Sequence, residues 1–188
     1  SSSPRRSRIL EQMGVEFTAA GVDIDERQHP DETADIMVVR LAVEKACAVA
    51  PEPGTVVLGA DTAVVLDGEV FGKPADRADA LRMLAMLSGR RHQVMTGVAV
   101  RAASTAESVL SVTEVTFRKI APDEALDYWQ SGEPRGKAGA YAIQGLGGTF
   151  VESIAGSYTG VVGLPVFETA ELLRSAGIEL PAELKDAL

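Results

Sequence analysis

The sequence is poor in the residues that staple or metallate small proteins. Across 188 positions it has one cysteine, Cys47, and two histidines, His29 and His92. A single thiol excludes an internal disulfide and points to a reducing compartment, so a cytoplasmic protein is expected. The same counts exclude a zinc site of the usual composition. No apolar run approaches the roughly 18 residues that cross a bilayer, and no signal-peptide pattern is visible. Positive charge is also scarce: 18 Lys and Arg stand against 27 Asp and Glu, a formal net charge of −9. That balance argues against duplex DNA or RNA as the main partner, since phosphate backbones reward a basic face. A small anionic ligand remains open, because a local cluster of cations can sit in an acidic protein.

What is present is ordinary for a globular chain, with 46% apolar and 24% charged residues. The length suffices for one sizeable core. No internal repeat and no long linker divides it, so a single domain over residues 1–188 is expected. The chain opens at Ser1, directly on a polar turn and without Met, so a preceding segment is expected.

The most informative stretch is Val56-Val57-Leu58-Gly59-Ala60-Asp61-Thr62-Ala63-Val64-Val65-Leu66. It is β-branched and apolar enough for a buried central strand, yet a carboxylate sits in its middle. An unpaired buried charge costs several kcal/mol, so Asp61 requires a cation, a metal ion or a backbone donor. The plainer reading is that it closes a bulge or caps a neighbouring helix.

Three segments precede it. Ser3-Pro4-Arg5-Arg6 reads as a helix start, with Ser3 at the N-cap and Pro4 at the first helical position; the helix continues through Met13 and stops at Gly14. Two arginines in a first turn oppose the helix dipole, which suits a bound anion or an exposed basic turn. Residues 15–22 read as a short strand, leading into the acids Asp23, Asp25 and Glu26, which are a solvated loop or a source of hard-cation ligands. Residues 33–50 read as a helix whose apolar stripe includes Lys45, which either snorkels along the edge or points into a site. Cys47, on the same helix, is expected in the core.

Further on, Asp67-Gly68 is a strong two-residue hairpin signal, and its return strand leads to Gly72-Lys73-Pro74, bringing Lys73 towards Asp61. The spacing from Gly68 to Lys73 is one residue short of a P-loop, and Pro74 stands where Ser or Thr is needed. A helix is expected over residues 76–87, an antiparallel strand pair over 92–101 and 108–118, and a helix with Trp129 over 122–130. Both histidines lack ligand spacing and are read as structural or exposed. Residues 136–148 are glycine-rich without a Rossmann fingerprint; they let backbone approach a ligand, with Gln144 able to read a base edge, or simply make a tight strand entry. A strand through Phe150-Val151 and a helix over 164–175 close the chain.

In order, Ser3-Pro4-Arg5-Arg6, Asp25-Glu26, Arg40-Leu41-Ala42 with Glu44-Lys45, Gly59-Ala60-Asp61-Thr62, Gly72-Lys73-Pro74, Ser88-Gly89 and Thr96-Gly97 precede Lys137-Ala138-Gly139-Ala140-Tyr141. Ile143-Gln144-Gly145, Gly156-Ser157-Tyr158 and Val162-Gly163-Leu164-Pro165 follow. This ordered set resembles the Maf (septum-formation inhibitor) family of nucleoside triphosphate pyrophosphatases, in its dTTP/UTP subgroup. Two departures stand out: the family's short apolar strand before the first turn is not in this sequence, and Gly136 replaces a common acidic residue.

The resemblance implies an α/β fold with a mixed twisted sheet and flanking helices, like the inosine triphosphate pyrophosphatases, with a cleft between two lobes. It implies hydrolysis of a nucleoside triphosphate to the monophosphate and pyrophosphate with Mg²⁺ or Mn²⁺, in a homodimer. By the same resemblance Asp61 is the general base, and Glu26 with Asp61 holds the metal. Ser3, Arg5, Arg6, Lys45, Lys73 and Lys137 meet the triphosphate, while Arg5, Thr62 and Gln144 set specificity for dTTP and UTP. The alternatives are a pyrophosphatase for 7-methyl-GTP or purine nucleotides, and a non-catalytic nucleotide-binding regulator of cell division.

Overall fold

A computed structural model describes residues 3–103 and 105–181; the expected helix-start residues Ser1 and Ser2 lie outside them. Among the described residues five strands form one sheet: β1 (Val57–Leu66), β2 (Glu69–Phe71), β3 (Arg91–Ala102), β4 (Thr105–Phe117) and β5 (Val151–Ala155), in the order β2-β1-β3-β4-β5. Every pairing is antiparallel. The hairpin forms at Asp67 and Gly68, whose φ values of 52° and 82° are the left-handed pair that a type I′ turn needs.

Helices cover both faces: α1 (Pro4–Gln12), α2 (Ala34–Cys47), α3 (Arg77–Leu87), α4 (Pro122–Gln130), α5 (Tyr158–Val162) and α6 (Val166–Ser175). The α/β architecture with flanking helices is therefore the one expected, while the sheet is antiparallel throughout and not mixed, because its neighbouring strands are joined by a hairpin or run back along one another. Strand periodicity divides β1 between two cores. Ala63 and Val65 pack with Met37, Val38 and Leu41 of α2. Ala60, Val64 and Leu66 point the other way, with Ile9 and Leu10 of α1 and Leu84 and Leu87 of α3.

Two glycines set the depth of α2. A Cβ at Gly59 would overlap the Ala42 carbonyl oxygen, and one at Gly97 would overlap that of Val38. The helix backbone thus rests on strand backbone, at positions where any side chain would lift it. Gly97 is the cross-strand partner of Asp61, so this contact lies beside the carboxylate.

Two further sequence expectations fail. Residues 15–22 form no strand, and most of them are exposed although five of the eight are apolar: the sheet's edges are β2 and β5, and this segment pairs with neither. Cys47 is exposed, because it ends α2, where the helix runs off the sheet. The expected last helix forms as α6, and the short α5 precedes it, ended by Gly163 at φ 130°.

Candidate active site

Asp61 lies mid-strand in an unbroken register, with no bulge, on the face of β1 that meets α2. Its partner is a cation. Lys45, in the last turn of α2, places Nζ 2.6 Å from Asp61 Oδ1 and 2.6 Å from Glu26 Oε1. The Lys45 and Asp61 side chains are only 12% and 16% exposed, so this pair is poorly screened; Glu26 is half exposed. Its hydrogen bond with Lys45 holds the Glu26 carboxyl below its ordinary pKa against the opposing effect of burial.

The acidic loop bearing Glu26 has no regular structure, and Arg40 of α2 ties it down. Its guanidinium donates to both Glu32 oxygens at 2.6 and 2.8 Å and to the Arg27 carbonyl at 3.1 Å. This fork geometry suits arginine and would be lost with lysine.

On the opposite face of β1, Thr62 belongs to a second network. Arg6 donates from Nε to the Gly163 carbonyl at 2.7 Å and from Nη2 to Thr62 Oγ1 at 3.1 Å. Thr62 and Thr96 hydroxyls lie 3.0 Å apart, and Thr96 donates to the Gly160 carbonyl. Arg6 therefore ties α1 to the C-terminal end of α5 and to β1 on this face of the sheet. At the N-terminus of α1 the Ser3 carbonyl accepts from the Ser7 amide at 3.1 Å, and Pro4 is the first helical residue.

These elements enclose a cavity of about 760 Å³, within the range of small-molecule sites. Ser3, Arg5, Arg6, Glu26, Lys45, Asp61, Thr62, Lys73, Lys137 and Gln144 all line it. The sequence-derived set thus comes together in one place from six separate segments. Lys73 sits 4.0 Å from Glu26 and not beside Asp61, since Lys45 takes that position.

Five cations against two carboxylates leave the cavity wall three positive charges in excess, although the whole chain is at −9. Burial lowers the pKa of Arg5, Arg6 and Lys137, and Arg5 adds its repulsion to the other two. Cations crowded in this way favour a polyanion.

Glu26 and Asp61 approach one ammonium together, so the wall presents a pair of hard oxygen donors to a cation. Among the described residues no group of three or more Cys, His, Asp or Glu is placed to hold a metal ion together. The donors fit a divalent ion of the Mg²⁺ or Mn²⁺ kind that takes its remaining ligands from phosphate and water, and not an all-protein cage.

Sequence reasoning missed Glu133 and Tyr128, which hold the Gln144 turn from behind. Gly145 and Gly147 were the available signal: a Cβ at either would overlap one of those two side chains.

Residues 1–176 match the family described as Maf-like protein, and the chain belongs to that family. Its relatives include proteins named dTTP/UTP pyrophosphatase. The one from Pseudoalteromonas atlantica is 51% identical over 178 residues, spanning 92% of this chain and 93% of the relative. Those of Anaeromyxobacter dehalogenans and Bordetella parapertussis are 53% and 52% identical, spanning 97% and 96% of this chain and 95% and 92% of theirs. No helix among the described residues is long and apolar enough to cross a membrane.

Proposed function

We propose that this protein hydrolyses dTTP and UTP to the nucleoside monophosphate and pyrophosphate. The observation that carries the reading is Asp61: a carboxylate in an apolar strand, compensated by Lys45, on the wall of a cavity that is otherwise cationic. A protein that only bound nucleotide would gain nothing by burying an acid there. The relatives' names supply the substrate.

In this mechanism Asp61 takes the proton of a water molecule as its oxygen attacks the α-phosphorus. The bond from that phosphorus to the bridging oxygen breaks, and pyrophosphate leaves with the electron pair. Arg5, Lys73 and Lys137 donate to phosphate oxygens, and Lys45 bridges the carboxylates and the phosphates; positioning and electrostatics carry the rate. Arg6, fixed by Gly163 and Thr62, contributes field and keeps the α1 N-terminus in place. Glu26 and Asp61 would hold a divalent ion, which when bound neutralises charge developing on the phosphates. Gln144, exposed on the cavity wall, reads the pyrimidine edge, with Thr62 and Arg5 shaping the pocket. A cytoplasmic homodimer completes the reading, supported by the single cysteine and by the family resemblance.

The test is pyrophosphate release from dTTP, UTP, CTP, GTP, 7-methyl-GTP and ITP with Mg²⁺ or Mn²⁺. Turnover of dTTP and UTP above the rest is expected. Preference for 7-methyl-GTP would overturn the assigned specificity, and binding of nucleotide without turnover would overturn the enzyme.

A further inference from the structure

Gln144 is an exposed side chain on a short turn, and such a residue discriminates between bases only if the turn is fixed before the ligand arrives. The turn's own hydrogen bonds are modest: the Gly145 amide donates to the Ala142 carbonyl at 3.1 Å, and the Gly148 amide to the Gly145 carbonyl at 3.0 Å. Stronger restraint comes from outside it. The Ala142 amide, on one flank, donates to Tyr128 Oη at 3.1 Å. The Leu146 and Gly147 amides, on the other flank, donate to Glu133 Oε2 at 3.0 Å and Oε1 at 2.9 Å. Tyr128 Oη in turn donates to Glu133 Oε1 at 2.7 Å. One phenol and one carboxylate therefore grip both sides of the segment that displays Gln144.

The grip is close. A Cβ at Gly145 would overlap the Glu133 carboxylate, and a Cβ at Gly147 would crowd Tyr128 Oη. Tyr128 is buried in the main core through α4, with its ring edge-on to Phe150, so the anchor itself is rigid. Burial pushes the Glu133 carboxyl pKa up, but the Gly147 amide, Tyr128 and the Leu146 amide outweigh it and the pKa is lowered. A charged acceptor of this kind makes hydrogen bonds about twice as strong as neutral ones.

We propose that Glu133, with Tyr128, is a positioning residue for nucleobase discrimination: it holds the turn 142–147 in the one conformation that presents Gln144 to the base. Glu133 itself is absent from the cavity wall, so it acts through the turn. The inference rests on the reading of Gln144 as the base-recognising side chain. Its consequence is an asymmetry between substrates. A loosened turn must be ordered by the nucleotide, which reduces apparent affinity in proportion to the fraction of competent turn, and only nucleotides that use Gln144 feel that reduction.

The experiment compares kcat/KM for dTTP and dGTP in wild type, Glu133→Gln, Tyr128→Phe, Gln144→Ala and the double variant Glu133→Gln/Gln144→Ala, with thermal melting of each. In Glu133→Gln an amide donor must face at least one of the three donors now satisfied, so the grip is broken without loss of volume. The expected result is a fall of about tenfold in the dTTP to dGTP ratio for Glu133→Gln, carried by KM, and about threefold for Tyr128→Phe. The double variant should lose no more of the ratio than Gln144→Ala alone. Equal losses for both nucleotides, or an unchanged ratio in both Glu133→Gln and Tyr128→Phe, would overturn the proposal. Should Glu133→Gln not fold, Tyr128→Phe decides by the same ratio. A wild type without pyrimidine preference, or a Gln144→Ala that keeps it, strikes the base reading itself. An intact ratio in Glu133→Gln beside its loss in Gln144→Ala strikes this inference alone.

Discussion

Two walls of the same cavity are built on opposite plans. The wall made by α1, β1 and α2 carries most of its chemistry on regular elements, and the backbone of α2 rests directly on β1 and β3 through Gly59 and Gly97. Several of its side chains are already held before any ligand arrives: Lys45 bridges Asp61 and Glu26, and Arg6 is hydrogen-bonded to Gly163 and Thr62. The other wall, residues 136–148, has only two short 3-10 turns, Ala138–Ala140 and Leu146–Phe150. There a core-anchored Tyr128 and the neighbouring Glu133 impose order from behind. The first wall suits reacting atoms that every triphosphate shares, where a small misplacement costs rate. The second suits a base that varies, where a turn can be reshaped without disturbing the sheet.

The sharpest way to separate the walls is Asp61→Asn. Removal of the base should lower kcat by ~10²–10⁴-fold with nucleotide binding retained, as read by pyrophosphate release and by titration calorimetry. Lys45→Met comes next, leaving Asp61 and Glu26 as uncompensated neighbours. We expect a loss of about 2 kcal/mol in urea unfolding, below the ~3–5 kcal/mol for fully buried pairs because Glu26 is half exposed, together with a clear loss of turnover. Gly97→Ala should lift α2 from β3, cost ~1–3 kcal/mol by overpacking, and lower kcat for every nucleotide alike; a changed dTTP to dGTP ratio would break the division of labour drawn above.

His92 probes the core behind the second wall, where it contacts Tyr141 Oη at 2.9 Å. Burial draws its pKa down to about 4 from an ordinary value near 6.5. Between those values the unfolded chain binds more protons than the folded one, so stability is full above about pH 6.5 and declines as pH falls towards 4. The loss is at most about 3 kcal/mol, and His92→Gln should flatten that slope in pH-dependent denaturation. The smallest effect is expected from Lys73→Ala. Its side chain is 68% exposed, with the ammonium 4.0 Å from Glu26, so stability should stay within ~0.5 kcal/mol while KM rises several-fold.

The two walls were not equally legible in the sequence. β1 could be read because eleven residues of apolar pattern with one carboxylate admit few structures, and Lys45 because its neighbours at helical spacing are apolar. Asp67-Gly68 dictated its own turn. The glycine-rich wall gave composition without geometry: its order comes from Glu133 and Tyr128, and nothing in their local sequence says that a carboxylate will face three donors from 5 to 14 residues away. Residues 15–22 misled for a related reason: their apolar pattern suits a strand, but nothing local says that the segment will pair with neither edge of the sheet. Cys47 misled because core preference is an average over positions, and a helix end can lie past the sheet.

The backbone contact of α2 with Gly59 and Gly97 also bears on how this protein tolerates change. Where side chains separate a helix from a sheet, each substitution in the layer resets the spacing, and a catalytic distance drifts with it. Here carbonyl oxygens of the helix meet α-carbons of the strands, leaving no side chain between them to trim. Substitutions among Met37, Leu41, Ala63 and Val65 can alter stability while the span from Lys45 to Asp61 stays fixed. The sequence is free to wander in that core because the ruler for the chemistry is made of main chain.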